Sequence, residues 1–94
     1  MPYILSIETS TTNCSVSLSN ENKLIDYQEI DSPNYSHSEN LHVFIDDLMK
    51  RNKLKFNDLK ACAISRGPGS YTGLRIGLSA AKGICFGLDI PLIS

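Results

Sequence analysis

The sequence carries no excess of charge of either sign. Nine Lys and Arg stand against ten Asp and Glu, a formal net charge of −1. So even a balance leaves no basic footprint and argues against direct nucleic-acid contact by this chain alone. No apolar run approaches the ~20 residues a membrane helix needs. The first residues lack the basic, apolar and small-residue order of a secretory signal. The expectation is a cytoplasmic chain without membrane contact. Cysteine is sparse: Cys14, Cys62 and Cys85 are odd in number, lie in apolar segments and are far apart in sequence. That argues against a thiolate metal site and predicts buried thiols of a reducing compartment. His37 and His42 are the two histidines. On a helix their spacing turns them about 140° apart, which suits surface or capping histidines better than a metal pair. No serine has an identifiable base, so no catalytic residue and no metal ligand is assigned.

What is present is dominated by one stretch, Arg66-Gly67-Pro68-Gly69-Ser70-Tyr71-Thr72-Gly73-Leu74-Arg75-Ile76-Gly77. A short apolar segment precedes it and a helical pattern, Leu74 to Leu88, follows, so it reads as a strand-to-helix turn. Gly67 and Gly69 permit positive φ or close backbone approach, and Pro68 stiffens the turn. Ser70 or Thr72 can cap the helix. Bare N–H groups at a helix start also attract anions. A well-capped turn and an anion site both fit. A P-loop does not, because no Lys-Ser or Lys-Thr pair follows the glycines. The spacing Gly-x-Gly-x-x-x-Gly has one residue too many for a dinucleotide fingerprint.

The chain reads as one domain, 1–94, with the order βββαβαβ. Tyr3 to Thr9 is an apolar, β-rich first strand, expected to be central, ending in the hydroxyl-rich turn Glu8 to Asn13. Cys14, Val16 and Leu18 alternate with Ser15 and Ser17, the period of a half-buried strand. Ser19 to Asn22 is a turn cluster, and Lys23 to Ile30 a third strand with Leu24 on one face and Ile25 and Tyr27 on the other. After a loop over 31–35, Ser36 with Glu39 fits a capping box. Leu41, Phe44, Ile45, Leu48 and Met49 then give one apolar helical face. Asp46 and Asp47 sit mid-helix as a solvated face, and Lys50, Arg51 and Lys53 favour the C-terminal end. Asn57 to Lys60 is a short turn, Ala61 to Ser65 a fourth strand and Ile90 to Ser94 a fifth, with Gly87 to Asp89 stopping the second helix. Strands one, four and five would be parallel, joined by helical crossovers. This is an α/β, ribonuclease-H-like lobe with a mixed five-stranded sheet, the core of each lobe in the actin-like ATPases. The expectation is one N-terminal lobe of a longer two-lobe protein.

In the second helix, Gly73, Gly77, Ala80 and Ile84 fall on one line, flanked by Ile76, Gly83 and Gly87. Leu74, Leu78, Cys85 and Leu88 form an adjoining apolar arc. A helix apolar over more than half its circumference needs cover on two sides. The sheet is one. The other, lined with small residues, suits the first helix of the chain, a partner subunit, or both, with Phe86 as an aromatic anchor. The partner-interface candidates are Gly73, Ile76, Gly77, Ala80, Gly83 and Ile84, with Leu41, Phe44 and Leu48 of the first helix. Glu8 ends the first strand, where actin-like ATPases place a carboxylate near metal and phosphates. Glu8, Thr9, Ser10 and Thr11 are therefore vestigial phosphate or nucleotide candidates. A solvated turn is the alternative.

Ile7-Glu8-Thr9-Ser10, the hydroxyl turn with Cys14-Ser15-Val16, and above all the long glycine motif resemble the bacterial TsaB (YeaZ) family over nearly the whole chain. The resemblance covers the N-terminal lobe, since family members are roughly twice as long. It implies an actin-like fold with a degenerate nucleotide site and no tightly bound cofactor, ATP and Mg acting only at the level of a complex. It implies a non-catalytic scaffold that pairs with the TsaD-type catalytic paralogue and a TsaE-type ATPase. That complex makes threonylcarbamoyladenosine at position 37 of tRNA, and tRNA would be met only through it. It also implies homodimers through the two helices of this lobe. The paralogue carries a His-x-x-x-His metal pair, and this sequence has none. The family tends to have Asp where this chain has Glu8. Older labels call the wider family glycoproteases, but nothing in the residues supports peptide hydrolysis. The alternatives to a scaffold are a nucleotide-binding, ATPase or kinase-like lobe and, remotely, a metallopeptidase.

Overall fold

The computed structural model describes residues 2–9, 13–31, 37–64 and 71–93, with side chains described except at 13–14, 30–31, 37–40 and 71–74. The elements are β1 (Tyr3–Glu8), β2 (Asn13–Asn20), β3 (Lys23–Asp31), α1 (His37–Arg51), a 3-10 turn (Phe56–Asp58), β4 (Leu59–Ile64), α2 (Tyr71–Leu88) and β5 (Leu92–Ile93). Ser36 and the side chain of Glu39, the expected capping box, lie outside what is described. The helix that the pattern begins at Leu74 starts at Tyr71. The fifth strand is only two residues long, because Ile90 and Pro91 are spent on the exit from α2.

The sheet order is β3-β2-β1-β4-β5, with β1 central. β1 pairs antiparallel with β2 and parallel with β4, and β4 pairs parallel with β5. Two-residue periodicity sorts β1 by face. Leu5 pairs with Leu18 and Cys62, and Ile7 with Val16. All five are buried, in one core with Leu41, Phe44, Ile45, Leu48 and Met49 of α1 and Ala81 and Cys85 of α2. Both helices therefore lie on one face of the sheet, α1 over β2 and β3, α2 over β4, β1 and β5. Burying each large aliphatic side chain of this core contributes about 1.5–3 kcal/mol. The other face carries Ser6, Glu8, Ser15, Ser17 and Ala63, which the register places side by side.

The described turns use residues other than glycine. Glu21 (φ 53°) and Asn22 (φ 65°) are both left-handed between Asn20 and Lys23, the two-residue hairpin whose twist matches the strands. α1 ends with Lys53 at φ 57°, its N–H bonded to Lys50 O at 3.0 Å and that of Leu54 to Met49 O at 2.9 Å. That pair of bonds is a Schellman closure. α2 ends in the same way: Asp89 has φ 56° and Ile90 N–H reaches Cys85 O at 3.0 Å. The stop expected over Gly87 to Asp89 is thus made by Asp89, and Gly87 belongs to the last helical turn. On β3, Leu24, Ile25 and Tyr27 are all exposed. The register slips between Leu18 and Ser19, which makes Ile25 the extra residue of a bulge on the outer strand.

Candidate functional site: the end of β1 and the outer face of α2

Two regions carry the candidate residues. The first is the C-terminal end of β1. Glu8 is half-buried and Thr9 is buried at 2% exposure. Strand alternation sends them to opposite faces. Glu8 borders a hollow of about 280 Å³ on the helix-free face, with Ser6, Ser15, Ser17 and Ala63. Thr9 points to the helix side, where its Oγ1 and Ile7 press against the backbone of α2 at Gly77. The expectation of a hydroxyl cluster gathered around Glu8 is corrected for this pair: Glu8 and Thr9 do not share a surface. Among the described residues, the hydroxyls beside Glu8 are those of Ser6, Ser15 and Ser17. The alternation of Ser15 and Ser17 with Val16 was the sequence signal for them, read only as strand periodicity. Ser10 and Thr11 lie outside the described residues, as do Gly67, Pro68, Gly69 and Ser70 of the glycine turn and the side chain of Thr72.

The second region is α2 with its seam against α1. The line of small residues does not stay on one face. Gly77 is turned inward: a Cβ there would run into Thr9 Oγ1 and lie 3.5 Å from Ile7 Cγ2. Leu41, Phe44 and Leu48 are 2%, 9% and 0% exposed, within the chain's own core. These four are corrected as interface residues, since side chains already enclosed by their own sheet have no surface to offer a partner. The rest of the set is divided. Ile76, Ala80 and Ile84 are half-buried against the core. Ala80, Gly83 and Ile84 line an open groove of about 290 Å³ with His42 and Ile45 of α1, Phe56 and Ser79. Gly73 is part of α2 with its surroundings undescribed. Beside the groove, Phe86 is 92% exposed, and nothing would approach a Cβ within 4 Å at Gly83 or Gly87. His42, Ile45, Phe56 and Ser79 were missed as groove residues. The 3-10 turn that swings Phe56 over the seam has no amphipathic period to read.

Cys62 and Cys85 are free, buried thiols where β4 meets α2, as expected, and Cys14 has no described side chain. Burial first, and the hydrogen-bonded Cys85 thiol second, push the Cys62 thiol up to about 12. Cys85 Sγ also donates to Pro91 O at 3.4 Å. A thiol so held is a small apolar filler and a poor nucleophile. Among the described residues, no group of three or more His, Cys, Asp or Glu could hold a metal ion. No helix among the described residues is long and apolar enough to cross a membrane.

Comparison with known proteins fits this framework. The family model described as "TsaD: tRNA N6-adenosine threonylcarbamoyltransferase" matches residues 32–94. The Haemophilus influenzae "tRNA threonylcarbamoyladenosine biosynthesis protein TsaB" is 36% identical over 96% of this chain and 37% of its own length. The Escherichia coli protein of that name is 36% identical over 96% of this chain and 38% of its own. This chain therefore spans under half the length of these curated relatives. Among solved structures, YeaZ from Pseudomonas aeruginosa superposes with a TM-score of 0.90 at 31% identity, covering 99% of this chain and 43% of that one. RuvC from T. thermophilus superposes with a TM-score of 0.63 at 12% identity, covering 98% of this chain and 62% of that one. At that identity the likeness concerns the fold, which is ribonuclease-H-like, of the kind that forms actin-like ATPase lobes. Motif order, topology and these matches together make the chain a member of the TsaB (YeaZ) family.

Proposed function

We propose that this chain acts in the synthesis of threonylcarbamoyladenosine at position 37 of tRNA, as a non-catalytic scaffold subunit that pairs with a TsaD-type catalytic paralogue. The observation that carries the reading is the outer face of α2. There Phe86 stands almost fully exposed next to two bare glycines and an apolar groove. An aromatic ring beside uncovered backbone is what a helix of a partner can pack against closely. A second copy of the chain would take the same face in isolation. A TsaE-type ATPase would join at the level of the complex, tRNA would be bound by the other subunits, and the setting would be cytoplasmic. The near-neutral charge supports leaving the tRNA contact to the partner.

The test is capture of the catalytic paralogue from the same cell by this chain and by its Phe86→Asp and Glu8→Ala variants. The expected result is capture by the parent and by Glu8→Ala, and loss with Phe86→Asp. Capture unaffected by Phe86→Asp would move the interface elsewhere. Tight Mg-nucleotide binding abolished by Glu8→Ala would replace the scaffold reading with a nucleotide-binding one.

A further inference from the structure

The polar end of α1 is tied to the sheet at a place unrelated to the groove. Arg51 Nε lies 2.8 Å from Asp26 Oδ2, Arg51 Nη1 3.1 Å from Gln28 Oε1 and Arg51 Nη2 3.1 Å from Tyr27 O. Asn52 Nδ2 donates to the same Asp26 oxygen at 2.9 Å. Asp26 Oδ1 in turn accepts from Tyr27 N–H at 2.8 Å. Both main-chain polar groups of Tyr27 thus end on side chains. β3 is an outermost strand of the sheet, nine residues long, with Leu24, Ile25 and Tyr27 exposed. In an antiparallel ladder a residue turns both its N–H and its C=O either to its neighbour or away from it. At Tyr27 the pair that would face a further strand is taken by Asp26 and Arg51.

We propose that Arg51 is a guard on the edge of β3, closing a surface that would otherwise pair with β3 of a second copy of this chain. An exposed apolar edge strand is a template for pairing, and native proteins blunt it with charges and bulges. The Ile25 bulge is one such device here, and the Arg51–Asp26 pair over Tyr27 is the other. A second copy is the occupant that fits. Two β3 strands meeting antiparallel about a two-fold axis make a closed, isologous contact. With Tyr27 at the axis, its N–H and C=O serve both copies, and the Lys23 end of one strand lies over the acidic Glu29–Asp31 end of the other. The bulge two residues from the axis keeps the paired stretch short. Removal of the guard is therefore what would decide whether it forms.

The test is disulfide capture at the axis. Directly opposed Tyr27 positions would have Cα atoms about 5.5 Å apart, within the range a disulfide spans. Tyr27→Cys is introduced with Arg51 retained, with Arg51→Ala and with Arg51→Lys, and linked dimer is followed under mild oxidation. The chain keeping Tyr27 serves as background for its native thiols. Circular dichroism establishes that each variant is folded; the Lys variant keeps charge and stem but cannot bridge three acceptors. The expected result is linkage at least tenfold faster in both Arg51 variants, unchanged when Phe86→Asp is added. Equal rates with and without Arg51 would overturn the guard. So would linkage that disappears with Phe86→Asp, since the contact would then belong to the helix face. Capture of the paralogue in the preceding experiment is independent of either outcome.

Discussion

Gly77 and Gly83 lie on the same helix, less than two turns apart, and meet opposite surroundings. At Gly77 the missing side chain is a requirement: the helix lies so close to β1 that Thr9 fills the place a Cβ would take. At Gly83, as at Gly87, the missing side chain faces open space. One residue type thus serves helix-to-sheet contact inside and bare backbone outside. The lesson is that a small-residue line on a helix reports close approach without saying by what. The sheet consumed the part at Gly77, and among the described residues the part from Ala80 outward remains for another molecule.

The comparison predicts a sign change between the two positions. Overpacking at Gly77→Ala should cost about 1–3 kcal/mol, against about 1 kcal/mol of helix propensity gained, so the chain should lose up to about 2 kcal/mol net. Denaturant unfolding measures it. A double variant with Thr9→Ala should recover much of the loss, because the obstructing hydroxyl goes. Unchanged stability of Gly77→Ala would break the contrast. Gly83→Ala and Gly87→Ala should each stabilise the isolated chain by about 0.5–1 kcal/mol, by the same measurement. Phe86→Ser should change stability by no more than about 0.5 kcal/mol, as for an exposed position. Its association with a partner, followed by sedimentation, should nevertheless fall. A large loss of stability there would mean the ring packs on its own chain.

The smallest effect concerns the solvent side of α1. Arg51 and then Asn52 hold the Asp26 carboxyl at about 2, below its ordinary 3.8. A carboxylate with a depressed folded value contributes stability that is present above 3.8 and lost as pH falls through about 2. NMR titration should place the Asp26 midpoint near 2, and Arg51→Ala should return it toward 3.8. The contacts are exposed, so the thermodynamic gain is minor and screened by salt.

Much of this was legible in the chain. The apolar run Ile4-Leu5-Ile7, the alternation Cys14-Val16-Leu18 and the face Leu41-Phe44-Ile45-Leu48-Met49 have single readings as strand, strand and helix. Together with the glycine motif they led to the βββαβαβ order and the family. The candidate site was less legible. Glu8 and Thr9 are adjacent in sequence but divided by the pleat, and nothing local marks which face will be covered. Leu41, Phe44 and Leu48 look the same whether a sheet or a partner covers them, because burial against either needs the same apolar stripe. The edge guard had no sequence signature, since Asp26 and Arg51 are 25 residues apart and meet only once α1 has folded back over β3.

What the sequence determined by itself, then, was element order, strand and helix periodicity and kinship. These depend on residue spacing and local backbone preference, which a chain carries before it folds. Only the tertiary structure decided which side of α2 the sheet occupies, that Asp89 and not Gly87 turns the chain out of the helix, and that Tyr27's backbone is closed by Arg51. The first and last of these depend on contacts between residues remote in sequence, and the Asp89 turn on which of several neighbouring residues takes the left-handed conformation, and no sequence pattern records the winner.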